Sequence, residues 1–556
     1  MKKIMIILSL LAIVMMAPGQ SQRLVLAEEF TNASCPPCAQ QNPAFDALLE
    51  ANSDIVTSIK YHTSWPGTDP MYSHNTVHNT TRTNYYGVAS IGVPYALIDS
   101  EPQPGSYYTG APANVTQQFL DEAAAVTSPF EIQLQHEISA DEEYIHLSMI
   151  IEATGDVSGN LRAHMAVIEK HIHYNNPPGS NGETDFYNVM KYMIPSANGT
   201  ALPNFVDGDY LILQGSWELD NVYEIDELAA VAFVQDNIDK QVHQAANNSE
   251  EALTPLFSYD AQATSVSGMA HANCSGMLEP VVTIRNNGSE TLTSLDFNYS
   301  VNEGVVHTHS WNGSLDFLET ASVTLPEYSF ELMEENILAV ETVNPSGEQD
   351  EYTKNDSIFF GFEKAVVAPA YISLTMRLDS KPEETSWEVL NSSGEVIHEG
   401  GDYTAPNQFI QQELNFDVED CYTFYVYDSG GDGFEQGSFI NVHVDSEIIL
   451  QETSFGAEAY NNFKSSSGLN TEESVSKQLE IYPNPASTKV FINALTGSGA
   501  QYKLMDLSGR MIQSGHLDNP INGHFSIDVS SVENGIYIFN LVDNGQESSR
   551  KISILR

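Results

Sequence analysis

The segment Cys35-Pro36-Pro37-Cys38 places two cysteines two residues apart at the start of a predicted helix. The apolar run at residues 23–30 is a predicted strand that precedes the motif. Residues 39–50 carry apolar side chains at helical spacing, so the helix is predicted to continue through them. Unpaired N–H groups at a helix N-terminus stabilise a thiolate on the first cysteine. The second cysteine lies one turn later, close enough to resolve a mixed disulfide. The motif therefore predicts a unit for thiol–disulfide exchange.

Three other interpretations of the cysteine pair stay open at the level of sequence. A structural disulfide is common in exported proteins, although a bridge that closes so short a loop adds little stability. The pair could be half of a zinc site, but a second Cys-x-x-Cys is absent and nitrogen ligands would have to come from His62, His74 or His78. The pair could also be a relic in a binding module.

The order of elements around the motif resembles thioredoxin. The helix after the cysteines contains Pro43, which is expected to kink it, and a Gly-Val-Pro turn at residues 92–94 opens onto a predicted strand. The resemblance implies that Pro94 is cis, lies against the disulfide and has flanking backbone that holds substrate peptides. It also implies that Glu29 is the buried acid that accepts a proton from the second cysteine, with Glu28 as an equally near candidate.

Residues 28–38 and 65–72 read Glu-Glu-Phe-Thr-Asn-x-x-Cys-Pro-Pro-Cys and Trp-Pro-Gly-x-Asp-Pro-Met-Tyr. Together they are similar to the thioredoxin-like family related to the 28-kDa outer membrane protein of Bacteroidetes. The resemblance covers residues 23–250 and implies an α/β thioredoxin-like domain at 23–128 with a β-rich partner domain at 129–250. Ser34 stands where thioredoxin has tryptophan, and Pro-Pro replaces Gly-Pro, so the direction of electron flow stays open.

The rest of the chain predicts all-β domains, so the fold class is multidomain: an α/β thioredoxin-like domain followed by several immunoglobulin-like or other β-sandwich domains. Residues 255–365 alternate short strands with Asn-Gly and Asn-Pro turns, which indicates an immunoglobulin-like sandwich with a spacing or binding role. Residues 367–464 predict a second sandwich. A polar linker at 465–477 follows, and residues 478–556 form a small strand-rich domain with Pro-Asn-Pro and Asn-Gly turns.

Two groups of residues invite a metal interpretation. Asp428 and Asp432 flank glycines in a turn that suits an oxygen-coordinated calcium ion, but Asp-Gly turns are often only turns. The acids that could complete such a shell are Asp417, Glu419 and Glu435. His171 and His173 lie two apart on a predicted strand and point to one side, a pattern more typical of ordinary surface or core histidines than of ligands.

The two ends of the chain predict export. Lys2-Lys3 and the apolar run to Ala17 predict a signal peptide at residues 1–22. The apolar run is too short for a membrane span, and we expect no transmembrane span in the mature chain. Residues 479–556 closely resemble the C-terminal sorting domain of type IX secretion. That resemblance implies the type IX secretion machinery as a partner and a secreted or cell-surface location.

The net charge and the motifs reduce the number of functional classes to which the chain could belong. The net charge of −53, from 75 acidic and 22 basic residues, excludes nucleic acid as a partner, and no Gly-x-Ser-x-Gly or His-Glu-x-x-His motif indicates a hydrolase. We expect oxidase- or isomerase-like exchange with protein thiols or disulfides and no required cofactor. The alternative is a non-catalytic surface protein that binds another protein or a glycan. Whether Cys274 and Cys421 pair, and which substrate is used, stay open.

Overall fold

A computed structural model describes residues 21–248, 252–435, 437–466, 480–493, 500–506, 510–517, 525–543 and 546–555. The chain divides into two compact units, Met1–Thr254 and Pro255–Arg556. The predicted signal peptide, apart from its last two residues, and residues 467–477 of the predicted linker lie outside the described residues.

The first unit is built on a mixed sheet of nine strands. Val25–Thr31 and Val56–His62 pair in parallel at its centre, and every residue of both strands is buried. Parallel strands need cover on both faces, and these two are buried throughout even though Glu28, Glu29 and Lys60 lie within them. The strands lie in the order Val242–Asn247, Leu228–Asp236, Leu161–His173, Asp185–Ile194, Val56–His62, Val25–Thr31, Tyr95–Ile98 and Glu101–Pro102, with Thr200–Ala201 beside Leu161–His173.

Helices cover the central strands. Helix Pro36–Glu50 contains the expected Pro43, and its Phe45 and Leu49 pack against Val25 and Ala27. Alternation along the strand sends Leu26 and Phe30 to the opposite core. The other α-helices are Pro70–His74, Thr76–Tyr86 and Gln117–Ala124, and the 3₁₀ segments are Val88–Ser90, Pro112–Asn114 and Ile225–Glu227.

The large sheet continues across the boundary that the sequence places between residues 128 and 129. Strand Asp185–Ile194 joins Val56–His62 in parallel through the pair Val189 and Lys60, so later strands extend the sheet that carries the first helix. A second sheet packs on it and contains Phe130–Ile138, Tyr144–Ala153 and Tyr210–Glu218. Ser21–Gln22 pairs separately with Thr127–Ser128. The predicted limit between residues 128 and 129 therefore stays a prediction, and strands from both sides of it belong to the main sheet.

The second unit consists of successive β-sandwiches, as the all-β prediction requires, and its described residues contain no α-helix. Two 3₁₀ segments, Pro345–Gly347 and Pro382–Glu384, interrupt the strands. The first sandwich has strands Ala261–Ser267, Val281–Asn286 and Thr320–Thr324 in one sheet, Ala272–Asn273, Ser357–Lys364, Glu335–Val343, Leu292–Val301 and His307–Leu315 in the other, and the short pair Met277–Leu278 and Tyr328–Ser329.

Two further sandwiches follow along the chain. In the second sandwich of the unit, one sheet contains strands Val366–Ala368, Glu458–Ser465, Cys421–Asp428, Thr385–Leu390 and Val396–Gly400, and the facing sheet contains Phe409–Asn415, Tyr371–Arg377, Phe439–Val444 and Glu447–Glu452. In the third sandwich, one sheet contains strands Glu480–Tyr482, Lys489–Asn493 and Phe525–Asp528, and the facing sheet contains Met511–Leu517, Ala500–Asp506, Gly535–Asp543 and Gln546–Ile554.

A disulfide between Cys274 and Cys421 joins the first two sandwiches of this unit, which settles the pairing left open by the sequence. The side-chain amide of Asn462 reinforces the junction by donating a hydrogen bond of 2.9 Å to the carbonyl oxygen of Ala272. A disulfide therefore links the first two sandwiches, in addition to the polypeptide segment that connects them.

Candidate functional site

The two cysteines of the N-terminal motif form a disulfide at the start of helix Pro36–Glu50. Cys35 is the N-cap residue with extended backbone, and its Sγ accepts a hydrogen bond of 3.1 Å from the backbone N–H of Cys38. Pro36 and Pro37 occupy the first helical positions, where the missing N–H groups cost nothing. Both prolines are exposed, whereas Cys35 and Cys38 are 1% and 0% exposed.

Pro94 lies beside this disulfide. The Val93–Pro94 peptide bond is cis, and the carbonyl oxygen of Val93 lies 3.4 Å from Sγ of Cys35. The hydroxyl of Tyr108 donates a hydrogen bond to the carbonyl oxygen of Pro94. The structure thus brings the sequence-predicted Cys35, Cys38 and Pro94 together, with backbone carbonyl oxygens next to Sγ of Cys35.

Glu29 belongs to a cluster of three carboxylates and one cation, in which Glu29 and Lys60 are buried and Asp46 and Glu183 are partly buried. Nζ of Lys60 lies 2.9 Å from Oε2 of Glu29 and also pairs with Asp46. Glu183 adds a third carboxylate, whose Oε1 accepts a hydrogen bond of 3.1 Å from Asn42. Oε1 of Glu29 has no hydrogen-bond partner in the described part of the chain.

This environment changes the protonation of Glu29. Burial raises its pKa to about 7, against the opposing attraction of Lys60, and the nearby Asp46 raises it further. Burial also raises the pKa values of Asp46 and Glu183. Asp46 also lines a cavity of about 610 Å³ beside the helix and the sheet. The cluster can therefore hold or release a proton near neutral pH.

Glu28, the alternative acid, has both carboxylate oxygens hydrogen-bonded to other side chains. Its side chain points to the opposite face of the strand, where Oε1 accepts a hydrogen bond of 2.5 Å from the guanidinium of Arg82. Oε2 accepts another from the hydroxyl of Tyr86 at 2.5 Å. Both oxygens of Glu28 are therefore held by this pair, whereas Glu29 lies on the strand face that packs against helix Pro36–Glu50.

Asp69 holds the loop that precedes the cysteines, although sequence reasoning gave it no role. Its Oδ2 accepts a hydrogen bond of 2.7 Å from the backbone N–H of Ala33 and lies 2.8 Å from Nδ1 of His62. The hydroxyl of Ser34 donates to the carbonyl oxygen of Thr68 at 2.7 Å. Residues 65–72, one of the two segments that carry the family resemblance, thus hold the backbone leading into Cys35.

Residues 175–184, which we name the covering loop, rest on the same turn. The backbone N–H of Asn181 donates to the carbonyl oxygen of Ala33 at 3.2 Å, and its side-chain amide reaches the carbonyl oxygen of Cys35 at 3.3 Å. A Cβ atom on Gly179 would lie 2.1 Å from the carbonyl oxygen of Ala33, so only glycine permits this approach. The Pro-Pro-Gly sequence at 177–179 was the available signal of a tight turn.

The histidines proposed as zinc ligands do not gather at the cysteines. His62 is paired with Asp69, His74 lies between Lys191 and Tyr223, and His78 accepts a hydrogen bond of 3.1 Å from the backbone N–H of Met193. Within the described ranges, neither group of three or more candidate metal ligands contains a cysteine. The structure gives the zinc interpretation of the cysteine pair no support.

The predicted calcium residues converge with one acid that the sequence did not indicate. Asp428 and Asp432 approach Glu384, whereas Asp417, Glu419 and Glu435 are not members of this group. Oδ2 of Asp428 accepts a hydrogen bond of 2.8 Å from the backbone N–H of Gly433, as expected of a glycine turn.

A lysine already serves as the counter-ion of this acidic group. Nζ of Lys381 lies 3.4 Å from Oε2 of Glu384 and 3.2 Å from Oδ2 of Asp432. A calcium ion would therefore have to displace an ammonium group, and calcium binding here stays a prediction.

The comparison with protein families identifies the end of the chain. Residues 480–555 match the model described as the secretion system C-terminal sorting domain, which confirms the predicted type IX sorting domain. The protein is therefore exported and is located at the cell surface or released from it. None of the helices among the described residues combines the length and the hydrophobicity of a membrane span.

Comparisons with whole proteins add little beyond this. No curated protein matches the chain. HBP35 of Porphyromonas gingivalis is 15% identical and covers 62% of this chain and 99% of its own, with a TM-score of 0.36. A protein of Agrobacterium tumefaciens is 14% identical, with 42% and 99% coverage and a TM-score of 0.28. The BSP domain of a biofilm associated protein is 10% identical, with 77% and 96% coverage and a TM-score of 0.19. Likenesses this weak carry no argument about function.

Proposed function

We propose that the first unit carries a thioredoxin-like domain that exchanges disulfides with other proteins outside the cell, through Cys35 and Cys38. The observation that carries this proposal is the disulfide at the N-terminus of helix Pro36–Glu50, next to the backbone of Val93 and Pro94. A purely structural bridge across so short a loop would contribute little stability. Helix N-terminal N–H groups, in contrast, favour a thiolate on Cys35 and so make it a good leaving group.

The exchange needs two displacements. A substrate thiolate attacks Sγ of Cys35, the Cys35–Cys38 bond breaks, and Cys38 leaves with the electron pair as a thiolate. A second substrate thiolate then attacks the substrate sulfur of the mixed disulfide and expels Cys35 as a thiolate. The substrate gains a disulfide and loses two electrons, which remain on the cysteine pair until an external disulfide reoxidises it.

Glu29 is the residue that manages the proton in this proposal. Its raised pKa of about 7 keeps part of the population protonated at neutral pH, so it can donate a proton to the Cys38 thiolate as that group leaves. Lys60 and Asp46 adjust this acidity through the shared ion pair. The backbone beside Pro94 would bind the substrate chain near Cys35.

One observation favours the second candidate, a non-catalytic surface protein that binds a protein or glycan. Both sulfurs are almost completely buried, and the covering loop is hydrogen-bonded to the turn that carries them. A catalytic disulfide must be reached by a substrate thiolate, so exchange requires the covering loop or Pro36–Pro37 to move. If they do not move, the disulfide is inert and the fold acts as a scaffold.

The reduction potential of the Cys35–Cys38 pair distinguishes the two candidates. The full chain would be equilibrated in glutathione buffers, thiols trapped with a mass tag and the occupancy of each pair read by mass spectrometry. A potential above about −230 mV, with rapid oxidation of a reduced model protein, supports exchange. A potential below about −300 mV with no reaction would overturn it in favour of the scaffold.

Two variants identify the reacting sulfur. In Cys38→Ser, Cys35 is a free thiol that can attack a substrate disulfide, but no second cysteine is present to expel the substrate from the mixed disulfide, so a substrate should remain covalently attached. In Cys35→Ser no substrate should be trapped. The double variant Cys274→Ser/Cys421→Ser is the matched control, since it removes the other disulfide and leaves the Cys-Pro-Pro-Cys motif intact.

A further inference from the structure

Two adjacent antiparallel strands of the first unit bring two imidazoles and a carboxylate together on one exposed face. His173 of strand Leu161–His173 is directly opposite Asp185 of strand Asp185–Ile194, and His171 is opposite Tyr187. Residues two apart on a strand, and residues opposite one another across an antiparallel pair, point to the same side of a sheet. The intervening Ile172, together with Phe186, faces the buried core instead.

The donor atoms of the three side chains converge on one point. Nε2 of His171 lies 3.0 Å and Nδ1 of His173 lies 2.8 Å from the same oxygen, Oδ1 of Asp185. All three donor atoms lie within 4.8 Å of one another. Donors bound to one tetrahedral zinc ion at about 2.0–2.2 Å lie roughly 3.4 Å apart, a spacing that small rotations of the two rings would reach from this arrangement.

Neighbouring groups orient two of the three ligands. The hydroxyl of Thr184 donates a hydrogen bond of 2.7 Å to the other oxygen of Asp185, which leaves Oδ1 facing the imidazoles. The ring of His171 stacks on Tyr187, with centroids 4.8 Å apart and planes at 13°. Such supporting contacts hold metal ligands in position in known sites.

We propose that His171, His173 and Asp185 form a binding site for a late first-row transition-metal ion such as Zn²⁺ or Cu²⁺, with its remaining positions open to solvent. Two imidazoles favour these ions over calcium or magnesium, which prefer sets of oxygen ligands. The site is separate from the cysteine pair and does not depend on the function proposed for it.

The test is a titration of the full, disulfide-bonded chain with Zn²⁺ after treatment with a chelator. Because the chain has 75 acidic residues, excess calcium and magnesium would be present to occupy weak carboxylate sites. We expect one tight equivalent of Zn²⁺ by isothermal titration calorimetry. Loss of a supporting contact typically costs metal sites roughly 10–100-fold in affinity, so the loss of a ligand in His173→Ala should cost at least about 100-fold.

Matched variants separate this site from general binding to histidines and acids. His146 is an exposed strand histidine of the same unit, hydrogen-bonded to Ser216, so His146→Ala should leave the affinity unchanged. Asp185→Asn keeps the shape of the side chain and should weaken binding. Electron paramagnetic resonance of bound Cu²⁺ should show coupling to two imidazole nitrogens. The absence of a tight equivalent, or equal binding by His173→Ala and the original chain, would overturn the proposal.

Discussion

Lys60 pairs with two carboxylates: its Nζ lies 2.9 Å from Oε2 of the buried Glu29 and also contacts the partly buried Asp46. One cation therefore serves two acids, and Glu183 adds a third negative group nearby. Since desolvation penalises every charge in this cluster, a proton is retained there near neutral pH. The protonation of Glu29, rather than that of the cysteines alone, should thus control how the disulfide reacts.

Glu29→Gln should remove a pH dependence from reduction of the Cys35–Cys38 disulfide. The pKa of Glu29 is about 7, so its proton is available to the leaving Cys38 below that pH and is lost above it. After correction for the thiolate fraction of dithiothreitol, the rate constant of the original chain should fall as the pH rises through about 7. General acid catalysis is worth at least about 10²-fold in typical cases. For a sulfur leaving group we expect a smaller loss in the variant at pH 6, about tenfold.

The control for this experiment is Glu50→Gln, an exposed acid on the same helix. Stopped-flow measurement of the released thiols from pH 5 to 9 would supply both profiles. A profile of Glu29→Gln that coincides with that of the original chain would show that Glu29 does not transfer the proton.

Gly179→Ala should make the disulfide easier to reduce. The new Cβ would lie 2.1 Å from the carbonyl oxygen of Ala33 and 2.8 Å from Oγ of Ser34, so the covering loop must move away from the turn. We expect several-fold faster reduction by dithiothreitol at fixed pH. Gly361→Ala introduces the same methyl group where nothing lies within 4 Å, and its rate should not change. An unchanged rate in Gly179→Ala would mean that the loop does not limit access.

Removing the bridge between the sandwiches should destabilise the second unit. Cys274 and Cys421 are 147 residues apart, and closing a loop of that order stabilises a fold by about 4–5 kcal/mol in the chain-entropy model. Cys274→Ser/Cys421→Ser should lower the thermal transition of this unit in scanning calorimetry. Cys35→Ser/Cys38→Ser, whose loop is far shorter, should leave that transition in place.

Calcium should stabilise the protein little unless Lys381 is removed. Its ammonium group already neutralises Glu384 and Asp432, and a divalent ion would have to displace it. In Lys381→Met we expect millimolar calcium to raise the melting temperature more than it does in the original chain. Adding Asp428→Asn to that variant should abolish the gain. Equal responses in all three proteins would rule out calcium at this turn.

Asp356 should make the first sandwich less stable as the pH rises. Its side chain is buried, and burial, with repulsion from Asp350 and Asp260, raises its pKa to about 7 from 3.8. A group with a raised pKa in the fold favours folding fully below pH 3.8, and this advantage is lost as the pH rises through about 7.

Asp356→Asn should therefore melt at a higher temperature than the original chain at pH 8, and the two should differ less at pH 5. Each kcal/mol recovered is worth roughly 4–8 °C for a domain of this size. Scanning calorimetry at both pH values checks the sign, and an equal difference at pH 5 and pH 8 would contradict it.

Local patterns predicted part of the candidate site. The spacing of Cys35 and Cys38 at a helix start, and the Val-Pro step before a strand, both depend on nearby residues, and the structure brings these groups together. The choice between Glu28 and Glu29 could not be made in this way. Neighbouring strand residues face opposite sides, and the sequence does not say which side carries the disulfide.

The other parts of the site depend on contacts that are distant in sequence. Asn181 contacts Cys35 across 146 residues, and strand Asp185–Ile194 joins the sheet beside Lys60. Contacts between residues so far apart in the chain leave no periodic pattern of apolar residues in the sequence. The sequence indicated a role for Lys60 only indirectly, because it is a lysine within strand Val56–His62, whose residues are all buried. The same reason explains why Glu384 was missed beside Asp428, since it comes from a different strand connection.

The bridge between Cys274 and Cys421 also determines how the second unit would respond to a pulling force. If tension is applied at the two ends of the chain, force passes through the sulfur–sulfur bond and bypasses the 147-residue loop. An extended chain spans about 3.4 Å per residue, so the bond withholds roughly 500 Å of extension. Once the two sandwiches have unfolded under load, reducing this single bond would add that length, so the extension of the second unit would depend on the redox state around it.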